Sequence, residues 1–73
     1  MTIIINGDPI LTNSPELNYE DIVELAGKKG YPTVTYSSPR LGDSKRSGEM
    51  HFGSPAVPIE DQMIFSVVHT GHA

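Results

Sequence analysis

Two stretches decide the fold: Thr2-Ile3-Ile4-Ile5-Asn6-Gly7-Asp8-Pro9-Ile10-Leu11-Thr12 near one end, and Met63-Ile64-Phe65-Ser66-Val67-Val68 near the other. The first opens on a β-branched run, Thr2–Asn6, that favours extended backbone. Its apolar residues fall on both faces, which predicts a central strand. Asn6-Gly7 is a strong hairpin signal, because both residue types tolerate φ > 0. Pro9–Thr12 then reads as the returning strand. Pro9 has no N–H to donate, so it belongs at a strand start or on an edge. The second stretch, Met63–Val68, is again apolar on both faces and is expected in the middle of the sheet, beside the first.

Between them, Asn18 is a good N-cap, with Asp21 three residues later. Leu17 and Ile22 have the spacing of a hydrophobic staple. Ile22, Leu25 and Ala26 are expected on one face of a two-turn helix over Tyr19–Ala26, with Glu20 and Glu24 pointing away. Gly27 is a natural stop, with Lys28 and Lys29 beside the negative end of the dipole. Pro32–Tyr36 reads as a third strand, the polar stretch Ser37–Gly48 as a loop, and Glu49–Phe52 as a fourth strand with Met50 and Phe52 on one side. Ser54–Gln62, carrying Pro55 and Pro58, reads as a loop or single turn. A hairpin, a crossing helix and two central strands from opposite ends of the chain leave one economical arrangement. That is an α+β fold of ubiquitin-like β-grasp type, a mixed sheet of four to five strands with one helix on one face.

Bulk properties narrow the function. A chain of 73 residues is expected to form one domain burying about 60–65% of its unfolded surface, which leaves little room for a deep substrate pocket. It contains no cysteine, hence no disulfide framework and no thiolate nucleophile. That composition, with neither a leader nor an apolar run of membrane-spanning length, predicts a reducing, cytoplasmic setting. The net charge of −4 argues against general affinity for nucleic acid or anionic lipid and leaves proteins as the expected partners.

Several short motifs resemble one family. They are Ile5-Asn6-Gly7, Leu17-Asn18-Tyr19-Glu20-Asp21-Ile22-Val23, Leu25-Ala26-Gly27, Thr33-Val34-Thr35-Tyr36, a Gly-x-Met-x-x-Gly pattern over Gly48–Gly53, and Met-Ile-Phe-x-Val over Met63–Val67. In this order and spacing the chain resembles the bacterial multiubiquitin domains along nearly its whole length, although each motif is short. The resemblance implies a protein modifier, encoded beside a ubiquitin-activating-like enzyme, a conjugating-like enzyme and a metal-dependent processing peptidase, in operons some of which are associated with defence against phage. It implies no cofactor for the chain itself, ATP being used by the activating partner.

A modifier of this type reacts through its C-terminal carboxylate, and glycine suits the narrow channel of an activating enzyme because it lacks a Cβ. The tail reads His69-Thr70-Gly71-His72-Ala73. On the modifier reading, a peptidase removes His72 and Ala73 and exposes the Gly71 carboxylate. On the alternative reading, Gly71 merely ends the strand. The tail departs from the modifier pattern in having one glycine rather than a pair. Its reach from His69 to Gly71 is also short, roughly 7 Å at about 3.5 Å per residue.

Other candidate groups are weaker. His51, His69 and His72 do not converge on a metal, and no two carboxylates are placed to act as an acid–base pair. Nothing orients Ser44 or Ser47 toward Lys45 for nucleophilic catalysis. Arg40, Lys45 and Arg46 form a local basic patch, readable as a solvated loop or as a docking loop for an acidic partner. If Phe65 and Val67 face the core, Ile4, Ile64 and Val68 form an apolar patch on the opposite sheet face, of the kind that marks a partner site. Three functions follow in order: a conjugated modifier, a non-conjugated interaction module using that patch, and a sulfur carrier with a thiocarboxylate at Gly71. An independent enzyme ranks last.

Overall fold

The computed structural model describes residues 1–39 and 46–69. Within them, seven strands and one helix follow in the order β1 (Thr2–Ile5), β2 (Asp8–Leu11), β3 (Glu16–Leu17), α1 (Tyr19–Leu25), β4 (Thr33–Ser37), β5 (Ser47–Met50), β6 (Val57–Pro58) and β7 (Met63–Val68). Five of them form one mixed sheet in the order β2-β1-β7-β4-β5, and β3 pairs with β6 in a small second sheet. Only the central β1–β7 pair is parallel; β1–β2, β4–β7 and β4–β5 are antiparallel.

The β1–β2 turn takes the form its residues favour, with Asn6 at φ 52° and Gly7 at φ 87°. That two-residue turn sets the register Ile5–Asp8, Ile4–Pro9, Ile3–Ile10 and Thr2–Leu11. Parallel pairing then matches Ile3 to Met63 and Ile5 to Phe65. Because strand side chains alternate, this choice sends Ile3, Ile5, Met63, Phe65 and Val67 to one face. All five are essentially inaccessible, and with Val34, Met50, Ile22 and Val23 they make the core.

The seven-residue helix is capped at both ends. Asn18 Oδ1 accepts from the Asp21 backbone N–H at 2.8 Å, and Asp21 Oδ2 accepts from the Asn18 N–H at 3.2 Å. This is a capping box with Asp in the third position. At the other end Gly27 N–H donates to Glu24 O and Lys28 N–H to Val23 O, with Gly27 at φ 70°. That pair of bonds is a Schellman closure, which needs a residue free to adopt positive φ. Full capping matters here, because two turns of helix are marginal without it.

Four sequence expectations need correction. The buried helix positions are Tyr19, Ile22 and Val23, with Ala26 packed against them, whereas Leu25 is 41% exposed. The inward stripe therefore starts at Tyr19 and runs i, i+3, i+4, i+7. The fourth strand is Ser47–Met50, not Glu49–Phe52. The chain turns after Met50, with Gly53 at φ 83° and the Ser54 N–H donating to His51 O. Phe52 is consequently 64% exposed instead of sharing the core with Met50. The polar reach up to Gly48 also belongs in part to β5: Gly48 pairs with Tyr36, whose ring occupies the space a Cβ there would need. Finally, the segment expected to be loop supplies β6, and Ile59, buried beside it, donates its N–H to Pro15 O.

Tyr19 ties the helix to the chain entering β4. Its ring is buried, and its hydroxyl donates to the carbonyl of Pro32. Burial holds the phenol above its ordinary value of 10.0, and the charges of Glu20 and then Tyr31 add to the effect. The proton is thus bound more tightly in the folded state than in the unfolded one, so this contribution is complete below pH about 10 and is lost as pH rises above it. Tyr19→Phe should cost about 1–2 kcal/mol at neutral pH, through the lost bond and the unsatisfied carbonyl. The gap between parent and variant should narrow above pH about 10, which denaturant titrations at pH 7, 9.5 and 11 will measure.

Candidate functional site

The face of the sheet away from α1 follows from the same alternation. Ile4 and Ile64 are register partners and both point to it. Ile64 is 47% and Val68 48% exposed, while Ile4 is half-buried between its neighbours. The three residues named from sequence therefore share one face, but they do not form one cluster. Val68 stands beside Thr33 at the far end of β7, and Ser66 lies between it and Ile64. At about 3.3 Å per residue, Ile64 and Val68 are separated by roughly 13 Å along the strand.

An additional apolar residue on this face escaped the sequence reading. Leu11 on the edge strand β2 is 83% exposed, and its partner across the ladder is Thr2. The signal was present: counting outward from a two-residue Asn-Gly turn sends Ile10 inward with Ile3 and Leu11 outward. The β4 side of the face is polar, with Thr33, Thr35 and Ser37 opposite Val68, Ser66 and Ile64. The arrangement is an apolar half over β2, β1 and β7 with a hydroxyl-rich half beside it. It suits recognition of a partially apolar protein surface.

The chain leaves this face at the end of β7, and the exit is anchored by Asn6. The Asn6 backbone N–H donates to Phe65 O at 3.0 Å. Its side chain then takes over the ladder: Nδ2 donates to Val67 O at 3.0 Å, and Oδ1 accepts from the Val67 N–H at 2.8 Å. An amide side chain thus extends the parallel pairing past the point where the β1 backbone turns away. Thr70, Gly71, His72 and Ala73 lie outside the described residues.

Of the loop's basic residues, only Arg46 lies within the described residues. Arg40 and Lys45 lie outside the described residues. Arg46 is not a free docking group: its Nε and a terminal nitrogen reach Glu60 Oε2 at 3.1 and 2.7 Å, and the terminal nitrogen also donates to Pro58 O at 3.1 Å. It clamps the start of β5 to the segment after β6. His51 pairs with its strand neighbour Glu49 at 3.2 Å in an exposed position, and the His69 imidazole lies against Gly30. Among the described residues no three His, Cys, Asp or Glu side chains gather where they could hold a metal ion. Among the described residues no helix is long and apolar enough to cross a membrane.

Replacing Asn6 separates the two roles of that residue. Asn6→Gly retains the positive-φ turn and loses the clamp, and should cost about 2 kcal/mol for two half-buried hydrogen bonds. Asn6→Ala should cost about 1 kcal/mol more, because a Cβ is strained at φ > 0. In both variants amide exchange at Val67 and Val68 should accelerate ahead of the rest of β7. Equal exchange along the strand would mean that the clamp does not hold the exit.

No family model, no curated protein and no solved structure matches the chain.

Proposed function

We propose that this chain is a ubiquitin-like β-grasp domain serving as a bacterial protein modifier in the cytoplasm. The reading has it matured to Gly71 and conjugated by a cognate activating and conjugating pair, in a setting of defence against phage. The observation that carries the reading is the strand order β2-β1-β7-β4-β5 around a single helix, with the last strand parallel to the first. That order places the outgoing chain at the centre of the sheet rather than at an edge, where a tail can project without disturbing the fold. The motif resemblance supports the same reading.

The chemistry would belong to partners, with this chain supplying one carboxylate. The Gly71 carboxylate attacks the α-phosphorus of ATP in the activating enzyme, releasing pyrophosphate and leaving an acyl-adenylate. An enzyme thiolate displaces AMP to form a thioester. A lysine amine on the target then displaces the thiol, loses its proton and forms the isopeptide bond. The Leu11, Ile4 and Ile64 region would give the partners their grip on the domain. Leu11 and Ile64 are exposed and cost little to change, so the grip can be tested apart from folding.

The deciding measurement is the intact mass of the untagged protein from its native host, with and without the neighbouring enzymes. Loss of His72 and Ala73, with higher-mass adducts joined through Gly71, is the expected result. An unchanged mass in both conditions would overturn it and favour a non-conjugated interaction module working through the same face. Ile64→Arg should change folding stability by no more than about 0.5 kcal/mol while reducing adduct formation severalfold. Equal adduct yield would remove the open face from the mechanism.

A further inference from the structure

On the helix side of the molecule, away from the face just described, an open groove of about 420 Å³ runs between α1, the segment entering β4 and the turn after β5. Its walls include Tyr19, Glu20, Glu24, Lys28, Tyr31 and Phe52. Tyr31 and Phe52 are 76% and 64% exposed, a large aromatic area to leave in water on so small a domain. Phe52 stands edge-to-face with Tyr31 at 5.4 Å and with Tyr19 at 6.5 Å, the planes at 87° and 81°.

Hydrogen bonds hold the backbone on which Phe52 stands. Phe52 sits in a turn fixed by Ser54 N–H to His51 O at 2.9 Å and His51 N–H to Ser54 Oγ at 3.1 Å. The following Gly53 N–H donates to Glu20 Oε1 at 3.3 Å, docking the turn onto the helix. Tyr31 is flanked by Gly30, at φ 75°, and by Pro32, whose carbonyl is held by the Tyr19 hydroxyl. One helical turn beyond Glu20, the Glu24 carboxylate lines the same groove with no partner among the described residues. Ring faces bordered by carboxylates are the chemistry that selects a cation. The ring quadrupole attracts the charge, the carboxylate pairs with it, and preorganisation lowers the ordering cost.

We infer that this groove is a docking site for an arginine side chain presented by a partner protein. Arginine fits better than lysine because its planar guanidinium can lie on a ring and still donate to a carboxylate within its own plane. Charge complementarity favours the same partner: two carboxylates line the groove against the single ammonium of Lys28, on a chain of net charge −4. The site does not depend on the modifier reading, since it involves neither the tail nor the open sheet face.

The test is an NMR titration of the isotope-labelled full chain with the peptide acetyl-Gly-Ser-Arg-Ser-Gly-amide and its citrulline counterpart, which is nearly isosteric and uncharged. The arginine peptide should give saturable shifts at Glu24, Tyr31 and Phe52, and the citrulline peptide should bind at least about fivefold more weakly. Glu24→Gln and Phe52→Ala, both at exposed positions, should each weaken arginine binding by about three- to fivefold, while Lys28→Ala should tighten it by about twofold. Equal shifts with citrulline, shifts mapping to the open sheet face, or no saturable shift at all would overturn the assignment. Tighter binding of the matching lysine peptide would overturn the preference for arginine.

Discussion

The structure depends on the parallel pairing of β1 with β7. These strands come from opposite ends of the described chain, so nothing local brings them together, and their union closes nearly the whole sequence into one loop. Such non-local closure costs entropy before any contact repays it. Side chains and backbone secure both ends of the pairing. At one end the Thr2 N–H donates to Asp61 Oδ1 at 2.8 Å and the Gln62 N–H to Thr2 O at 2.6 Å. At the other, Asn6 completes the ladder with Val67. Between these ends the register is fixed, and it determines which face of every other strand meets the helix.

That constraint also explains how much of the fold was legible. Apolar residues on both faces marked β1 and β7 as central, and Asn6-Gly7 marked the hairpin, because those signals lie within a few residues of sequence. Helix capping was equally local. The second sheet was not legible: β3 and β6 contribute two residues each, too few for a periodic pattern, and their pairing is across the chain. The helix face was misphased for a different reason. Counting the stripe from Ile22 places Leu25 on it, whereas the buried Tyr19 ring starts it one turn earlier and brings in Val23. In β5 the alternation of Met50 and Phe52 suggested a continuing strand, but the chain needs positive φ at Gly53 and turns away before Phe52 can reach the core.

The candidate surfaces were partly legible for the same reasons. Strand parity places Ile4, Ile64 and Val68 on the open face, and hairpin register would have added Leu11. Parity could not reveal that Ser66 divides the face, which follows from reading β7 and β4 together. The Arg46 ion pair was not legible, because charge in a polar loop gives no sign of its partner. Glu60 lies fourteen residues away in sequence, and only the folded chain brings the two within 2.7 Å. The aromatic groove was invisible in the sequence, since it needs Tyr31 and Phe52 side by side, and Phe52 had been placed in a strand.

Dividing the exposed apolar area has a physical consequence. A single continuous patch over the open face would favour self-association, and both sheet edges would invite further strands. Instead Ser66 breaks the stripe, Pro9 removes a donor from the β2 edge, and Glu49 puts a charge on the β5 edge. The remaining exposed aromatics sit on the opposite side, in a groove lined by Glu20, Glu24 and Lys28 as well as by Val23. On the readings proposed above, each would favour a partner carrying matched polar or charged groups. Because α1 and the sheet lie between them, occupancy of one leaves the other open. The proposed partners would thus not compete, and both surfaces rest on a single core.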